Sequence, residues 1–127
     1  MAKRRSILLI DDDRGIREVA CTALEMVGGY DVSTAASGTE GLDKARTSPP
    51  DAIVLDVMMP GLDGPETFTL LRQQPETADV PVILLTAKTQ AADRTRFTAM
   101  GVAGMLAKPF DPMTISDDIA AILGWDR

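Results

Sequence analysis

The run Ile7-Leu8-Leu9-Ile10-Asp11-Asp12-Asp13 decides the fold. Four apolar residues without polar alternation read as a strand buried on both faces, and three carboxylates follow at once. Two carboxylates about 4 Å apart repel by roughly 4 kcal/mol at an effective dielectric near 20. A whole domain is typically stable by only about 5–15 kcal/mol. The triplet is therefore either solvated and dispersed or built around a cation.

Working outward, short apolar runs recur at Ala52 to Leu55, Val82 to Leu85 and Met105 to Ala107, each followed by polar residues. Tyr30 to Ala35 alternates and suits an edge strand. Helical patterns fill the intervals. Ile16, Val19, Ala20, Ala23 and Val27 form one face, closed by Gly28-Gly29. Ser37 with Glu40 predicts a capping box, and Asp63 with Glu66 and an early Pro65 opens a third helix. A fourth helix is predicted from about Ala91 to Met100, ended by Gly101. A fifth starts at Asp111-Pro112 and carries Ile115, Ile119 and Ile122 to Gly124, with Trp125 packing back on its last turn. Alternation of strand and helix predicts a doubly wound α/β domain, a five-stranded parallel sheet with helices on both faces.

Composition narrows the chemistry. With 127 residues the chain is expected to be one domain, residues 1–127. The start, MAKRRS, lacks a cleavage site and reads as a mature N-terminus, and no segment has the purity of a membrane span. One cysteine, Cys21, fits a reducing, cytoplasmic compartment and reads as a packed residue. A net charge of −6 argues against nucleic-acid binding. Histidine is absent, which excludes Ser-His-Asp and Cys-His nucleophile pairs and leaves carboxylates, hydroxyls, lysine and hard cations. The seven methionines read as core filler.

In a doubly wound sheet ligands bind beyond the carboxyl ends of the strands. The first strand ends in Asp11-Asp12-Asp13, the third in Asp56, the fourth in Thr86 and the fifth in Lys108, so these side chains should converge on one rim. Such a nest of oxygens fits magnesium, which keeps several waters and takes one or two carboxylates. Asp13 reads as a solvated charge at a helix N-terminus.

The motifs "IDD" (10–12), "LDVMMPGLDG" (55–64), "LLTA" (84–87) and "AKPF" (107–110), in this order, resemble the receiver domain of two-component response regulators. The resemblance covers roughly Ser6 to Leu123 and implies a stand-alone receiver with a flavodoxin-like strand order 2-1-3-4-5. It implies that Asp56 is the phosphoacceptor. Asp11, Asp12, Asp56 and the backbone carbonyl of Met58 would hold Mg2+, with Mn2+ as a substitute. Thr86 would donate to one phosphoryl oxygen and Lys108, after which the peptide to Pro109 is cis in the family, would neutralise another. The donor would be a histidine kinase or a histidine phosphotransfer protein. The signal would pass to a downstream output protein, near Arg94, Met105 and Asp118, from a monomer or weak homodimer. The chain would act as a switch and not as an enzyme on other substrates.

Two departures and two rivals accompany this reading. Met105 stands where the family usually has an aromatic residue, and Met58 and Lys88 occupy positions that tune dephosphorylation. A haloacid-dehalogenase-type phosphatase would use Asp11 and Asp13 as its Asp-x-Asp pair but leaves Asp56 and its loop unexplained. A receiver fold that signals without phosphorylation would be expected to lack one of the acids or the lysine, and all are present.

Overall fold

A computed structural model of the protein describes residues 4–87 and 93–125. Five strands and five helices alternate: β1 (Ser6–Ile10), α1 (Arg14–Met26), β2 (Asp31–Ala35), α2 (Gly38–Thr47), β3 (Ala52–Asp56), α3 (Gly64–Gln73), β4 (Val82–Ala87), α4 (Arg94–Met100), β5 (Gly104–Lys108) and α5 (Ile115–Leu123). All pairings are parallel, in the order β2-β1-β3-β4-β5. The expected architecture and strand order are therefore observed.

Alternation along each strand splits the core into two layers, since successive side chains point to opposite faces. Leu8, Ile10, Ile53, Leu55, Val82 and Leu84 pack with Ala45, Phe68, Leu71 and Phe97 of α2, α3 and α4. Ile7, Leu9, Val54, Ile83 and Leu85 pack with Ala20, Ala23, Leu24, Ile115 and Ile119 of α1 and α5. The central strands β1, β3 and β4 are almost wholly buried, as their unalternated runs require. By contrast β5, expected to be buried on both faces, is only partly covered because the strand order makes it an edge.

Local signals account for most helix ends. Asp13 caps α1 by accepting from the Ile16 amide at 3.0 Å, as its N-terminal position predicted. Asp63 and Glu66 form the complete reciprocal capping box of α3, at 2.8 and 3.0 Å. Ser37 accepts from the Glu40 amide, but the Glu40 carboxylate reaches past the cap to the Ala36 amide at 2.9 Å. Gly29 turns the chain after α1 with φ of 72°, a left-handed conformation that favours glycine.

Four expectations need correction. The buried stripe of α1 is Ala20, Ala23 and Leu24, whereas Val19 and Val27 are exposed and Ile16 is half-buried. The fifth helix begins at Ile115 and not at Asp111-Pro112, because Asp111 closes a separate turn. Its carboxylate accepts from the Met113 amide at 2.8 Å and its carbonyl from the Thr114 and Ile115 amides. Trp125 donates its backbone amide back to Ala120 at 2.9 Å, but its ring packs edge-on against Tyr30, centroids 5.6 Å apart, with Arg5 stacked at 4.5 Å. Of the methionines, Met59 is buried but Met26, Met58 and Met113 are exposed, so core filling does not describe all of them.

The described part of α4 is short, has no side-chain cap and buries Phe97 alone; the predicted start at Ala91 lies outside the described residues. One aromatic anchor therefore carries the helix. Phe97→Ala should cost about 3–5 kcal/mol, read by chemical denaturation. The α4 amides should lose hydrogen-exchange protection before those of α1 do.

Candidate functional site

The rim at the carboxyl ends of the strands gathers the residues that the sequence placed there. The register sets Asp56 beside Leu85, Thr86 beside Ala107 and Ala87 beside Lys108. Asp11 directly follows β1 and is 0% exposed, and Asp56, the last residue of β3, is 3% exposed. Asp12 is exposed. One carboxylate oxygen from each of Asp11, Asp12 and Asp56 lies within 4.8 Å of the others.

Lys108 reaches into this cluster from the end of β5. Its Nζ lies 2.9 Å from Asp11 Oδ2 and 2.8 Å from Asp56 Oδ1. Its side chain is 20% exposed, so both contacts lie largely out of water. The approach to Asp11 Oδ2 is an ion contact without hydrogen-bond alignment, so that buried oxygen has no oriented donor. The Lys108–Pro109 peptide is cis, as expected.

The backbone fixes Asp11 on its other sides. Its amide donates to the Ala35 carbonyl at 3.1 Å, and its Oδ1 accepts from the Asp13 amide at 2.9 Å. Its carbonyl accepts from Arg17 Nη1 at 2.9 Å. The turn after Asp56 is equally constrained. Gly64 at the start of α3 lies so close that a Cβ there would meet the Asp56 carbonyl oxygen at 2.5 Å. Arg17 did not stand out in the sequence, and Gly64 was read only as the last residue of the 55–64 motif. A helical residue bonding back to a strand end has no local signature, and Gly64 reads equally well as an ordinary turn glycine.

Thr86 is buried at the end of β4, but its hydroxyl donates to the Leu106 carbonyl at 3.5 Å and not to a carboxylate. Met58 follows Asp56 by two residues, with its side chain exposed. Lys88 lies outside the described residues. Cys21 is half-buried on α1, its thiol 3.5 Å from Glu25, and burial pushes its pKa up, with the Glu25 carboxylate adding to the shift. Met105 is half-buried and packs toward the layer that contains Phe97 and Met100.

The charges explain the titration of the site. Burial raises the Asp56 pKa above its ordinary 3.8; the Lys108 ammonium opposes this, and the Asp11 and Asp12 carboxylates add to the rise. Burial would lower Lys108, but its contacts with Asp56 and Asp11 outweigh that and hold it above its ordinary 10.5. Three carboxylates against one ammonium leave two negative charges uncompensated. All the donors are hard oxygens, and a buried one lacks an oriented partner. This donor set fits a small divalent cation.

The comparisons agree with the geometry. Residues 7–120 match the family described as the response regulator receiver domain. The chain belongs to that family. It is 42% identical over 119 residues to the alkaline phosphatase synthesis transcriptional regulatory protein PhoP of Bacillus subtilis, covering 94% of this chain and 48% of that protein. It is 40% identical over 117 residues to the DNA-binding dual master transcriptional regulator RpaA of a Synechocystis strain, covering 92% of this chain and 48% of that one. The chain thus spans about half the length of these curated relatives. Among solved structures it resembles the chemotaxis protein CheY4 of Vibrio cholerae, with a TM-score of 0.87 and 33% identity over 94% of this chain and 99% of the other. It also resembles the N-terminal domain of a response regulator receiver protein from Methanoculleus marisnigri, with a TM-score of 0.77 and 34% identity over 98% and 100% of the two chains.

Receiver domains are phosphoacceptor signalling switches that take phosphoryl groups from histidine kinases and act on output partners. They generally bind Mg2+ at an acidic cluster. The family match leaves the dehalogenase-type reading without support. Among the described residues no helix is long and apolar enough to cross a membrane.

The raised Asp56 pKa has a measurable consequence. The fold favours the protonated carboxyl, so the stabilisation this gives is fully present below about pH 3.8 and is lost as pH rises through the higher folded value. At neutral pH the ionised group therefore weighs against folding. In metal-free buffer at pH 7, Asp56→Asn should raise the melting temperature by a few degrees, and the gain should vanish below about pH 4. Thermal melts of both proteins across pH 3–8 check this.

Proposed function

We propose that this receiver takes a phosphoryl group onto Asp56 from a phosphohistidine donor. The observation that carries the reading is Lys108 Nζ held between Asp11 and Asp56, at 2.9 and 2.8 Å, beside the exposed Asp12. A carboxylate oxygen of Asp56 attacks phosphorus, the phosphorus–nitrogen bond breaks, and the imidazole leaves with the electron pair and takes up a proton. The product is an acyl phosphate. Phosphoryl transfer asks mainly for positioning and charge neutralisation, and this rim supplies both. The pKa-raising burial of Asp56 also makes its carboxylate a more basic nucleophile.

Asp11, Asp12, Asp56 and the Met58 carbonyl would hold Mg2+. Once bound, the ion supplies positive charge against the phosphoryl oxygens. Lys108 neutralises a further oxygen, and Thr86 turns its hydroxyl from the Leu106 carbonyl toward the phosphoryl group. That exchange would couple the acyl phosphate to the edge strand β5.

The donor would be a histidine kinase or a histidine phosphotransfer protein in the cytoplasm. A groove of about 560 Å³ opens beside Lys108 and Asp13, lined by Ile16, Val19, Pro109 and Phe110, and gives such a protein apolar area next to the acceptor. The output is a protein partner that recognises the phosphorylated form.

Two experiments test this. Intact mass spectrometry after incubation with acetyl phosphate and Mg2+ should show one phosphoryl adduct on the wild type and none on Asp56→Asn. An adduct that survives in the variant refutes Asp56 as acceptor, and no adduct from either acetyl phosphate or a kinase favours a receiver that signals by contact alone. Millimolar Mg2+ should raise the melting temperature of the wild type, because it relieves carboxylate repulsion. Asp12→Ala should remove that rise.

A further inference from the structure

We infer that Arg17 is a positioning residue of the acidic site: its guanidinium sets the strand-end turn that aims Asp11 and Asp12. The inference rests on the reading of the rim as a divalent-cation site. Arg17 lies in the first turns of α1, yet its half-buried side chain reaches back to donate Nη1 to the Asp11 carbonyl at 2.9 Å. Its own amide donates to the Asp13 carbonyl at 3.0 Å. One residue thus clasps the Asp11–Asp13 turn at both ends. That turn carries both acids of the pair, and its peptide planes determine where the two carboxylates point.

The clasp completes a set of restraints on Asp11. Its amide is held by the Ala35 carbonyl, its Oδ1 by the Asp13 amide and its carbonyl by Arg17. Its buried Oδ2 has no oriented donor and faces the cluster. Remove the Arg17 bond and the carbonyl loses its donor, so the peptide between Asp11 and Asp12 becomes free to rotate. Asp12 is exposed and has little else to orient it. Residues that orient ligands in this way typically cost about 10–100-fold in metal affinity when removed.

The sign of the effect separates positioning from plain electrostatics. A cation beside a cation site repels the incoming ion, so the field of Arg17 alone predicts tighter Mg2+ binding once it is neutralised. Positioning predicts weaker binding. A purely structural brace would lower the melting temperature and leave Mg2+ affinity where it was.

Calorimetric titration of the 127-residue chain with magnesium chloride decides the matter, using the wild type, Asp12→Ala, Arg17→Met, Arg17→Lys and Arg14→Met. Arg14 is a control, since it pairs with Glu18 on the exposed side of α1. Asp12→Ala should lose binding, Arg17→Met should bind about tenfold more weakly, and Arg14→Met should bind as the wild type or more tightly. Arg17→Lys keeps the charge but replaces the planar fork with a single flexible donor, and should fall between wild type and Arg17→Met. Affinity of Arg17→Met equal to or above wild type overturns the inference while leaving the acidic site standing. Should Arg17→Met fail to fold, Arg17→Lys decides, and an affinity equal to wild type overturns the inference. A wild type that does not bind Mg2+ overturns the reading of the rim together with this inference.

Discussion

The contact on which the arrangement of the rim depends is the Lys108 ammonium lodged between Asp11 and Asp56. Two buried carboxylates and a third nearby could not share one rim without a positive charge among them. The lysine comes from an edge strand and the acids from two central strands, so the contact exists only when β1, β3, β4 and β5 are assembled in register. Folding and site formation are consequently one event. The favourable side of that event is the two apolar layers, which hold the strands in order whatever the rim does. The rim is left with more negative charge than the protein itself neutralises.

Much of this was legible in the sequence. Ile7 to Ile10, Ala52 to Leu55 and Val82 to Leu85 lacked alternation because both faces of their strands are covered, and the structure buries them on both. Asp11, Asp56, Thr86 and Lys108 could be set on one rim because each ends its own strand and parallel strands end on the same side. What escaped the reading has a common cause: contacts between elements leave no local pattern. Helix α1 is amphipathic, but its apolar stripe extends past the area that the sheet covers, so a period of 3.6 could not tell the buried Ala20, Ala23 and Leu24 from the exposed Val19 and Val27. The Trp125 ring leaves its own helix to meet Tyr30 and Arg5, and Arg17 bonds back across a turn to Asp11. The direction of the Thr86 hydroxyl is likewise a property of the neighbouring strand.

The helices are not held equally. On one face α1 and α5 present several buried residues to the sheet and close against each other, with Gly28 close enough to Ser116 that a Cβ would meet its hydroxyl oxygen at 2.6 Å. On the other, α4 follows Thr86 and depends on Phe97. The half-buried Met105 packs on the α4 side, against the layer that contains Phe97, with an unbranched side chain that adapts to an irregular surface.

The seam around Trp125 sets the position of the indole. This is the chain's single tryptophan, and its ring sits with Arg5 and Tyr30 at the pole where β1 and β2 begin. The carboxylates lie at the opposite pole, about 15 Å away by the rise of a five-residue strand. The surroundings of the indole are therefore those of the packing between Arg5, Tyr30 and Trp125, at the pole away from the charged rim.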